Sequence, residues 1–292
     1  MKRSFVVYLL MAVSLIITIP LYAATIEELK QEADQGDAGA QCNLGFMYQN
    51  GEGVLQDKKA AAKWYRKAAD QGEAYAQYNL GSMYGNGEGV LQDKKEAAKW
   101  YRKAAEQGHA FSQYTLARKY FFGDGVAENK KKAITWFRKA AEQGNAEAQF
   151  FLGRMLKRGE GVLQDKEEAV KWYRKAAEQG EALAQMMLGI MYDQGEGISQ
   201  DKKEAVRWFR KAAEQGNAQA QAMLAFAYYN GHGVLQDKVM SYALYSLAAI
   251  NGDQDGTEVR DIVAKELSMP QLEQGREIAA ELWQQIEGKA SN

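Results

Sequence analysis

Glycine recurs in this sequence at a fixed interval of 36 residues, without a single insertion or deletion. The members of the series are Gly36, Gly72, Gly108, Gly144, Gly180, Gly216 and Gly252. A period of roughly 20 to 50 residues is typical of arrays in which each unit buries its apolar face against the next one. The spacing therefore predicts six consecutive units of one kind rather than a fold built around a single core.

Each unit contains two segments with helical periodicity. In the unit between Gly72 and Gly108, the first helix is predicted to end at Gly87, and a loop with the pattern Gly-x-Gly-Val follows. The second helix is predicted to begin after Asp93, with Glu96 completing a capping box, and to end before Gly108 in a left-handed conformation. The same acidic pair recurs as Asp165 with Glu168 and as Asp201 with Glu204.

Apolar residues that recur at one position in the units identify the predicted core. The first helices carry Leu44, Leu80, Leu116, Leu152, Leu188 and Leu224, and the second helices carry Trp64, Trp100, Trp136, Trp172 and Trp208. We expect the indoles to supply most of the apolar mass of the core. The whole chain contains only 2 prolines. Because proline breaks helices, this scarcity favours an all-α array.

The two ends depart from the repeat in the way that terminal caps do. Residues 24–36 align with the second helix alone, and Glu28 and Glu32 replace the tryptophan and the first alanine. A polar outer face of this kind is what the end of a repeat array requires. Residues 253–292 follow another pattern and are predicted to form a capping helical hairpin. The six repeats are assigned to residues 37–252.

The N-terminal segment has the features of a secretion signal. Lys2 and Arg3 precede an apolar run over residues 5–19, and small residues follow at Ala23 and Ala24. This order predicts a signal peptide over residues 1–23 and a periplasmic or secreted protein of Gram-negative type. The alternative is that the apolar run is kept as an anchor. No second apolar run follows, so we expect no transmembrane segment after removal of the signal.

Charge and cysteine content limit the partners and the covalent chemistry. Removal of Lys2 and Arg3 with the signal would leave 35 basic and 38 acidic residues, a formal charge of -3. That balance argues against a nucleic-acid partner, so the Arg-Lys pairs of the second helices are interpreted as a solvated face. Cys42 is the only cysteine. It is expected to be a half-buried apolar residue of a monomer, with a Cys42-linked dimer as the alternative.

The repeat has a recognisable signature. Residues 76–108 contain Ala-Gln-x-x-Leu-Gly-x-x-Tyr, then Gly-x-Gly-Val-x-x-Asp, then Ala-x-x-Trp-Tyr-x-Lys-Ala-Ala-x-x-Gly. This string closely resembles the Sel-one-like repeat, a relative of the tetratricopeptide repeat, and the resemblance covers about residues 26–267. It implies a right-handed α-α superhelical solenoid of six 36-residue helix-turn-helix repeats with helical caps. It also implies a concave face, lined mainly by the first helices, that receives a peptide or protein partner.

The sequence offers little for catalysis. Ser199 and Lys202 match the Ser-x-x-Lys pattern of serine β-lactamases, but no Ser-Asp-Asn or Lys-Thr-Gly partner is present. The only histidines, His109 and His232, stand at unlike repeat positions, so a shared metal site is not expected and both are interpreted as surface residues. We therefore expect no catalytic residue, no metal and no cofactor. A weak hydrolase of β-lactam or cell-wall type and a purely structural envelope protein stay as alternatives.

The candidate binding residues are those that vary while the repeat frame stays constant. On the first helices they form a stripe at spacings of three and four residues, opposite the leucine face. In the middle repeats the stripe comprises Tyr75, Tyr78, Phe111, Tyr114, Arg118, Phe150, Phe151, Arg154, Met186 and Met187. Aromatic residues, arginine and methionine are enriched in binding interfaces. The stripe predicts an interaction scaffold, with Arg118 and Arg154 facing carboxylates or peptide backbone, although several members could instead pack between neighbouring helices.

Overall fold

The computed structural model describes residues 26–290, which form fifteen α-helices and no strand. Helix α1 covers residues 26–34. The others are α2 (Ala38–Asn50), α3 (Lys58–Asp70), α4 (Ala74–Asn86), α5 (Lys94–Glu106), α6 (Ala110–Phe122), α7 (Lys130–Glu142), α8 (Ala146–Arg158), α9 (Lys166–Glu178), α10 (Ala182–Gln194), α11 (Lys202–Ala213), α12 (Ala218–Asn230), α13 (Lys238–Ile250), α14 (Gly256–Ala264) and α15 (Met269–Ala290). The expected all-α repeat fold is confirmed. The predicted signal peptide, residues 1–23, lies outside the described residues.

The chain forms two compact units, and the boundary falls after Trp136, within α7. In the first unit α2 packs on α3, α3 on α4, α4 on α5, and α5 on α6. In the second unit the same order of packing runs from α8 to α13. Within each unit, these helices therefore contact their neighbours in sequence, as a linear repeat array requires. No helix in residues 26–290 has both the length and the apolar character needed to cross a membrane.

The aspartate N-caps form as predicted, but the reciprocal bonds of the capping boxes do not, because the amides of Asp93, Asp165 and Asp201 donate to carbonyls of the preceding first helices. Asp93 Oδ1 accepts hydrogen bonds from the amides of Lys95 and Glu96, both at 2.9 Å. The glutamates of the predicted boxes bind other side chains. Glu96 accepts from Lys99 Nζ at 2.8 Å. At the other end of α5, Gly108 has a φ of 93° and follows the last turn. The aspartate therefore caps the second helix, while the glutamate adds an ion pair along its surface.

The two ends of the described chain pack on the outermost repeats. In α1, the buried Ala33 shares a core cluster with Leu44 of α2, and Leu29 packs against that cluster. After the last repeat, both α14 and α15 pack against α13. These three helices cover apolar faces that have no further repeat beside them.

The repeat leucines are fully buried, but the tryptophans are not the deepest aromatic residues. Trp64 and Trp136 are only half-buried. In every repeat with a tryptophan except the second, the ring that follows the tryptophan is more deeply buried. In most of these repeats the first helix presents a glycine to that ring. A Cβ atom on Gly189 would lie 2.6 Å from Cε1 of Phe209, closer than two carbon atoms can approach. The expectation that the indoles dominate the core is therefore only partly confirmed.

Several of the indole rings instead make cation–π contacts with lysines of the second helices. Lys175 Nζ lies 4.3 Å from the centre of the Trp172 ring, and Arg174 donates a hydrogen bond to the hydroxyl of Tyr192 in the next repeat at 2.7 Å. Equivalent arginine-tyrosine bonds join Arg66 to Tyr84, Arg102 to Tyr120 and Arg210 to Tyr228. The interpretation of the basic pairs as a merely solvated face holds for the lysines and is wrong for these arginines, which connect consecutive repeats.

In four of the Gly-x-Gly loops, the second glycine makes a close contact with the preceding repeat. Gly197 has a φ of 68°, and a Cβ atom there would lie 2.4 Å from the carbonyl carbon of Lys166 at the start of α9. Comparable contacts join Gly89 to Lys58, Gly125 to Lys94 and Gly233 to Lys202. The loop of one repeat therefore rests on the backbone of the preceding second helix, with no space for a side chain.

We expect Gly197→Ala to destabilise the second unit more than the matched change Gly180→Ala. Gly180 also has a positive φ, 97°, but nothing lies within 4 Å of its hypothetical Cβ atom. The control should lose about 1–2 kcal/mol from left-handed strain alone. Gly197→Ala should lose about 1–3 kcal/mol more because the backbone of α9 must move. Urea unfolding followed by circular dichroism measures both, and equal losses would contradict the loop contact.

Candidate functional site

The first unit carries five of the predicted binding residues on two consecutive first helices. We call Tyr75, Tyr78, Phe111, Tyr114 and Arg118 the α4–α6 patch. Tyr75 and Phe111 are 63% and 58% exposed, large fractions for aromatic side chains. Tyr78 and Tyr114 are half-buried, and the Arg118 guanidinium lies 5.7 Å from the centre of the Tyr114 ring. The patch thus combines anchored rings with rings that project into solvent.

His109, interpreted from the sequence as a surface residue, is half-buried and lies among the rings of this patch. Its ring centre is 4.8 Å from that of Tyr75, 5.2 Å from that of Tyr78 and 6.2 Å from that of Phe111. The histidine is also the N-cap of α6. Its Nδ1 atom accepts a hydrogen bond from the amide of Ser112 at 3.3 Å. The hydrogen bond of this nitrogen therefore holds the imidazole ring both at the start of α6 and within the aromatic cluster.

Partial burial lowers the pKa of His109, and the nearby Glu73 carboxylate opposes that shift. The neutral imidazole is therefore the stable form in the folded chain near neutral pH. A neutral Nδ1 can accept the amide hydrogen of Ser112, whereas a protonated one cannot. The sequence contained a clue to this role, because Asn145 and Asn217 cap first helices at the equivalent repeat position.

The second unit carries a stacked arrangement on α8. The rings of Phe137 and Phe151 are parallel within 4° at a centre-to-centre distance of 5.0 Å. Phe150 meets the edge of Phe151 at 5.6 Å, and the Arg154 guanidinium lies 4.9 Å from the centre of the Phe151 ring. Phe150, Phe151, Arg154 and the half-buried Met187 of α10 form what we call the α8–α10 patch.

Met186 does not share this exposure. Its side chain is 7% exposed and belongs to the core cluster that contains Phe209. The repeat position of Met186 points toward the neighbouring second helix, where Tyr78 also meets Tyr101 with ring centres 5.6 Å apart. Met186 therefore packs between helices. Its prediction as a binding residue is wrong, because it is a core residue. The other nine residues of the stripe keep accessible surface.

The residues considered for chemistry are dispersed. Ser199 is exposed in the loop before α11, and Lys202 Nζ binds Asp193 Oδ1 at 2.9 Å. Cys42 is half-buried as expected, and burial, with a contribution from Glu73, raises the pKa of its thiol to about 12. Since the thiolate is the reactive species, Cys42 is a poor nucleophile at neutral pH. Within residues 26–290, no three histidine, cysteine or acidic side chains converge as a metal site would require.

Comparison with protein families matches six consecutive segments of the chain to the Sel1 repeat. The segments are residues 38–73, 74–109, 110–145, 146–181, 182–217 and 218–253. The chain belongs to the Sel1 repeat family. Sel1 repeat proteins are generally protein-interaction scaffolds that bind other proteins, and they are typically not enzymes.

Two solved Sel1 structures resemble this Sel1 repeat protein over most of its length. A Sel1 repeat protein from Oxalobacter formigenes is 35% identical, with a TM-score of 0.66, and the alignment covers 80% of this chain and 95% of the other. The protective antigen c5321 of uropathogenic Escherichia coli, which has an SLR fold, is 30% identical, with a TM-score of 0.57. That alignment covers 91% of this chain and 72% of the other.

A shorter match relates the chain to a protein with a named partner. The secretory immunoglobulin A-binding protein EsiB of Escherichia coli O6:H1 is 40% identical over 69 residues. The match takes in 23% of this chain and only 14% of the length of EsiB. The similarity therefore concerns about two repeats of a much longer protein.

The cap formed by His109 predicts a pH-dependent stability of the first unit. A folded pKa below the unfolded value of about 6.5 means that the unfolded state binds the proton first, so stability is lost as the pH falls through that value. We therefore compare the melting temperatures of the wild type and of His109→Asn. As the pH is lowered from about 7.5 to about 5.5, the melting temperature of the wild type should decrease more than that of the variant. Asparagine is the matched substitution because it caps α8 and α12. A pH-independent difference would contradict this assignment.

Proposed function

We propose that this Sel1 repeat protein is a non-catalytic scaffold of the bacterial envelope that binds a protein or peptide partner through its first helices. The observation that carries the proposal is the exposure of Tyr75 and Phe111 beside half-buried rings of the same patch. Aromatic side chains that are anchored on one side and exposed on the other bury large areas on binding at a small entropic cost.

Within each repeat, the residues that hold the fold together differ from the residues of the candidate binding surface, and this separation supports the same function. The leucine, alanine and glycine positions pack between helices, and the arginines of the second helices bond to the next repeat. The accessible residues of the first-helix stripe take little part in these recurring contacts, and the stripe differs from repeat to repeat, so its composition can vary to match a partner. In the second unit, the α8–α10 patch offers stacked rings and a guanidinium, which suit a polypeptide with apolar and acidic groups.

The relatives favour a protein partner over a small molecule. EsiB is named for its binding of secretory immunoglobulin A, and the Sel1 family generally binds proteins. The match to EsiB is too short to transfer its partner. It supports the class of partner, a folded protein or a segment of one, which the aromatic patches of this chain would hold.

We expect the double variant Tyr75→Ala/Phe111→Ala to bind the partner at least about tenfold more weakly, since hot-spot aromatics contribute about 2 kcal/mol or more. The matched control is Leu55→Ala/Leu91→Ala, which removes two loop side chains that are 90% and 91% exposed. A photoreactive phenylalanine analogue at position 111 of the full chain should crosslink to the partner, and one at position 55 should not.

The partner crosslinked at position 111 is identified by mass spectrometry, and its affinity for each variant is then measured with purified proteins. Equal weakening by the loop control, or crosslinking only at position 55, would place the interface on another surface. Circular dichroism at one temperature verifies that both double variants retain their helices.

The envelope location rests on the order of charged, apolar and small residues in residues 1–23. Expression of the full chain in a Gram-negative cell should give a periplasmic or secreted protein whose N-terminal residue is Ala24. A chain that begins with methionine followed by Ala24 serves as the control and should stay in the cytoplasm. Recovery of the full-length chain in the membrane fraction would instead identify residues 5–19 as a retained anchor.

A further inference from the structure

A basic pocket of about 310 Å³ lies in the second unit, between α8, α9 and α10. Its lining includes the cations Arg154, Lys157, Arg158 and Lys166 and the carboxylate of Glu196. The first three stand on one face of α8, at spacings of three and one residues, next to the α8–α10 patch. No other repeat places three cations at these positions. The pocket is therefore a feature of the fourth repeat and not of the repeat frame.

The hydroxyl of Tyr173 provides a second and independent observation. Tyr173 is 0% exposed and lines the pocket, and its hydroxyl has no hydrogen-bond partner in the described part of the chain. In the first repeat, the equivalent Tyr65 hydroxyl donates to Gln49 Oε1 at 2.8 Å. Lys157 occupies the position of that glutamine. An ammonium group cannot accept a hydrogen bond, so the substitution leaves the buried hydroxyl beside the pocket without the acceptor that Gln49 provides in the first repeat.

The charges of the pocket favour an anion of low charge. Glu196 pairs with Lys157 at 3.0 Å and with Lys166 at 2.9 Å. Arg158 lies 3.5 Å from Glu160. The lining of the pocket thus contains four cations and one carboxylate, Glu196, a composition that suits an anion of low charge. Burial raises the pKa of Tyr173, the positive charges of Arg154 and Arg158 act against that rise, and the Glu160 carboxylate adds to it.

The apolar part of the lining indicates what carries the anion. Phe150 and Met187 border the pocket, and the Phe150 ring centre is 5.9 Å from that of Tyr173. A free inorganic ion would not use these surfaces. A carboxylate on a peptide with an apolar side chain would use both the cations and the apolar border.

We propose that this pocket binds a carboxylate of a peptide segment, with Arg154, Arg158 and the Tyr173 hydroxyl as donors and with Phe150 and Met187 against a neighbouring apolar side chain. The inference rests on the proposed function in one respect, since the peptide would belong to the partner of the α8–α10 patch. The carboxylate can come from a chain terminus or from an acidic side chain.

Small probes test the pocket without the partner. The full mature chain, labelled at its methionine methyl groups, is titrated with N-acetylphenylalanine, with its amide, with N-acetyl-Phe-Asp-amide and with inorganic phosphate, and NMR follows the Met187 signal. We expect at least one carboxylate probe to bind at least tenfold more tightly than N-acetylphenylalanine amide and more tightly than phosphate. The stronger carboxylate probe identifies a terminal or a side-chain source. Equal binding of acid and amide, or tighter binding of phosphate, would overturn the proposal.

Substitutions that introduce the residue found at the same position of another repeat should weaken carboxylate binding without disturbing the fold. Lys157→Gln restores the residue of the first repeat, so Tyr173 regains an acceptor, and carboxylate binding should fall at least tenfold with no loss of melting temperature. Tyr173→Phe introduces the residue that the third and fifth repeats have, Phe137 and Phe209, and should weaken binding severalfold. Lys203→Gln, an exposed lysine of α11, is the matched control and should bind like the wild type.

The results separate this inference from the proposed function. Unchanged probe binding in both Lys157→Gln and Tyr173→Phe would refute the pocket even if partner crosslinking at position 111 succeeds. Carboxylate binding that is at least tenfold weaker in Lys157→Gln and severalfold weaker in Tyr173→Phe supports the pocket, whatever the outcome of the crosslinking.

Discussion

A buried glutamine holds each first helix between two second helices, and the regularity of the array depends on it. Gln185 of α10 is 4% exposed; its amide nitrogen donates to the carbonyl of Ala177 in α9 at 3.0 Å, and its oxygen accepts from Gln215 after α11 at 2.8 Å. The same arrangement recurs at Gln41, Gln77, Gln149 and Gln221. A buried amide is costly without partners, so each repeat must present its neighbour's acceptor and donor at the correct distance. The first bond spans eight residues and the second spans thirty, so an insertion that shifts a helix within either span would displace that bond, which gives a physical reason for the constant 36-residue period.

This constraint explains why the candidate sites can vary. The glutamine bonds, the arginine-tyrosine bonds and the loop glycines connect repeats through residues that lie away from the first-helix stripe. Substitutions at the accessible stripe positions therefore leave the frame intact, and each repeat can present a different surface. The α4–α6 patch uses aromatic rings around a neutral histidine, whereas the fourth repeat combines rings with guanidinium groups and a buried phenol.

Several interpretations of single residues changed because their environment depends on the next repeat. Pattern alone placed His109 on the surface, yet the rings of α4 surround it. It also placed Met186 in the binding stripe, although the residue turns into the core beside α11. The basic pairs looked like a solvated face, but their arginines reach tyrosines 18 residues further along the chain. None of these contacts has a local signature, because each joins residues from different helices.

The sequence by itself determined the repeat, its helices, their caps and the leucine core, because periodicity, aspartate caps and left-handed glycines act over a few residues. It also indicated the stripe, since variable positions are visible once the period is known. Only the tertiary structure decided which stripe residues are accessible, which arginines connect repeats and which hydroxyl is left as a donor beside the cations of α8. Those properties depend on how neighbouring helices meet, and the unpartnered hydroxyl of Tyr173 becomes apparent only when Lys157 is seen beside it in place of a glutamine.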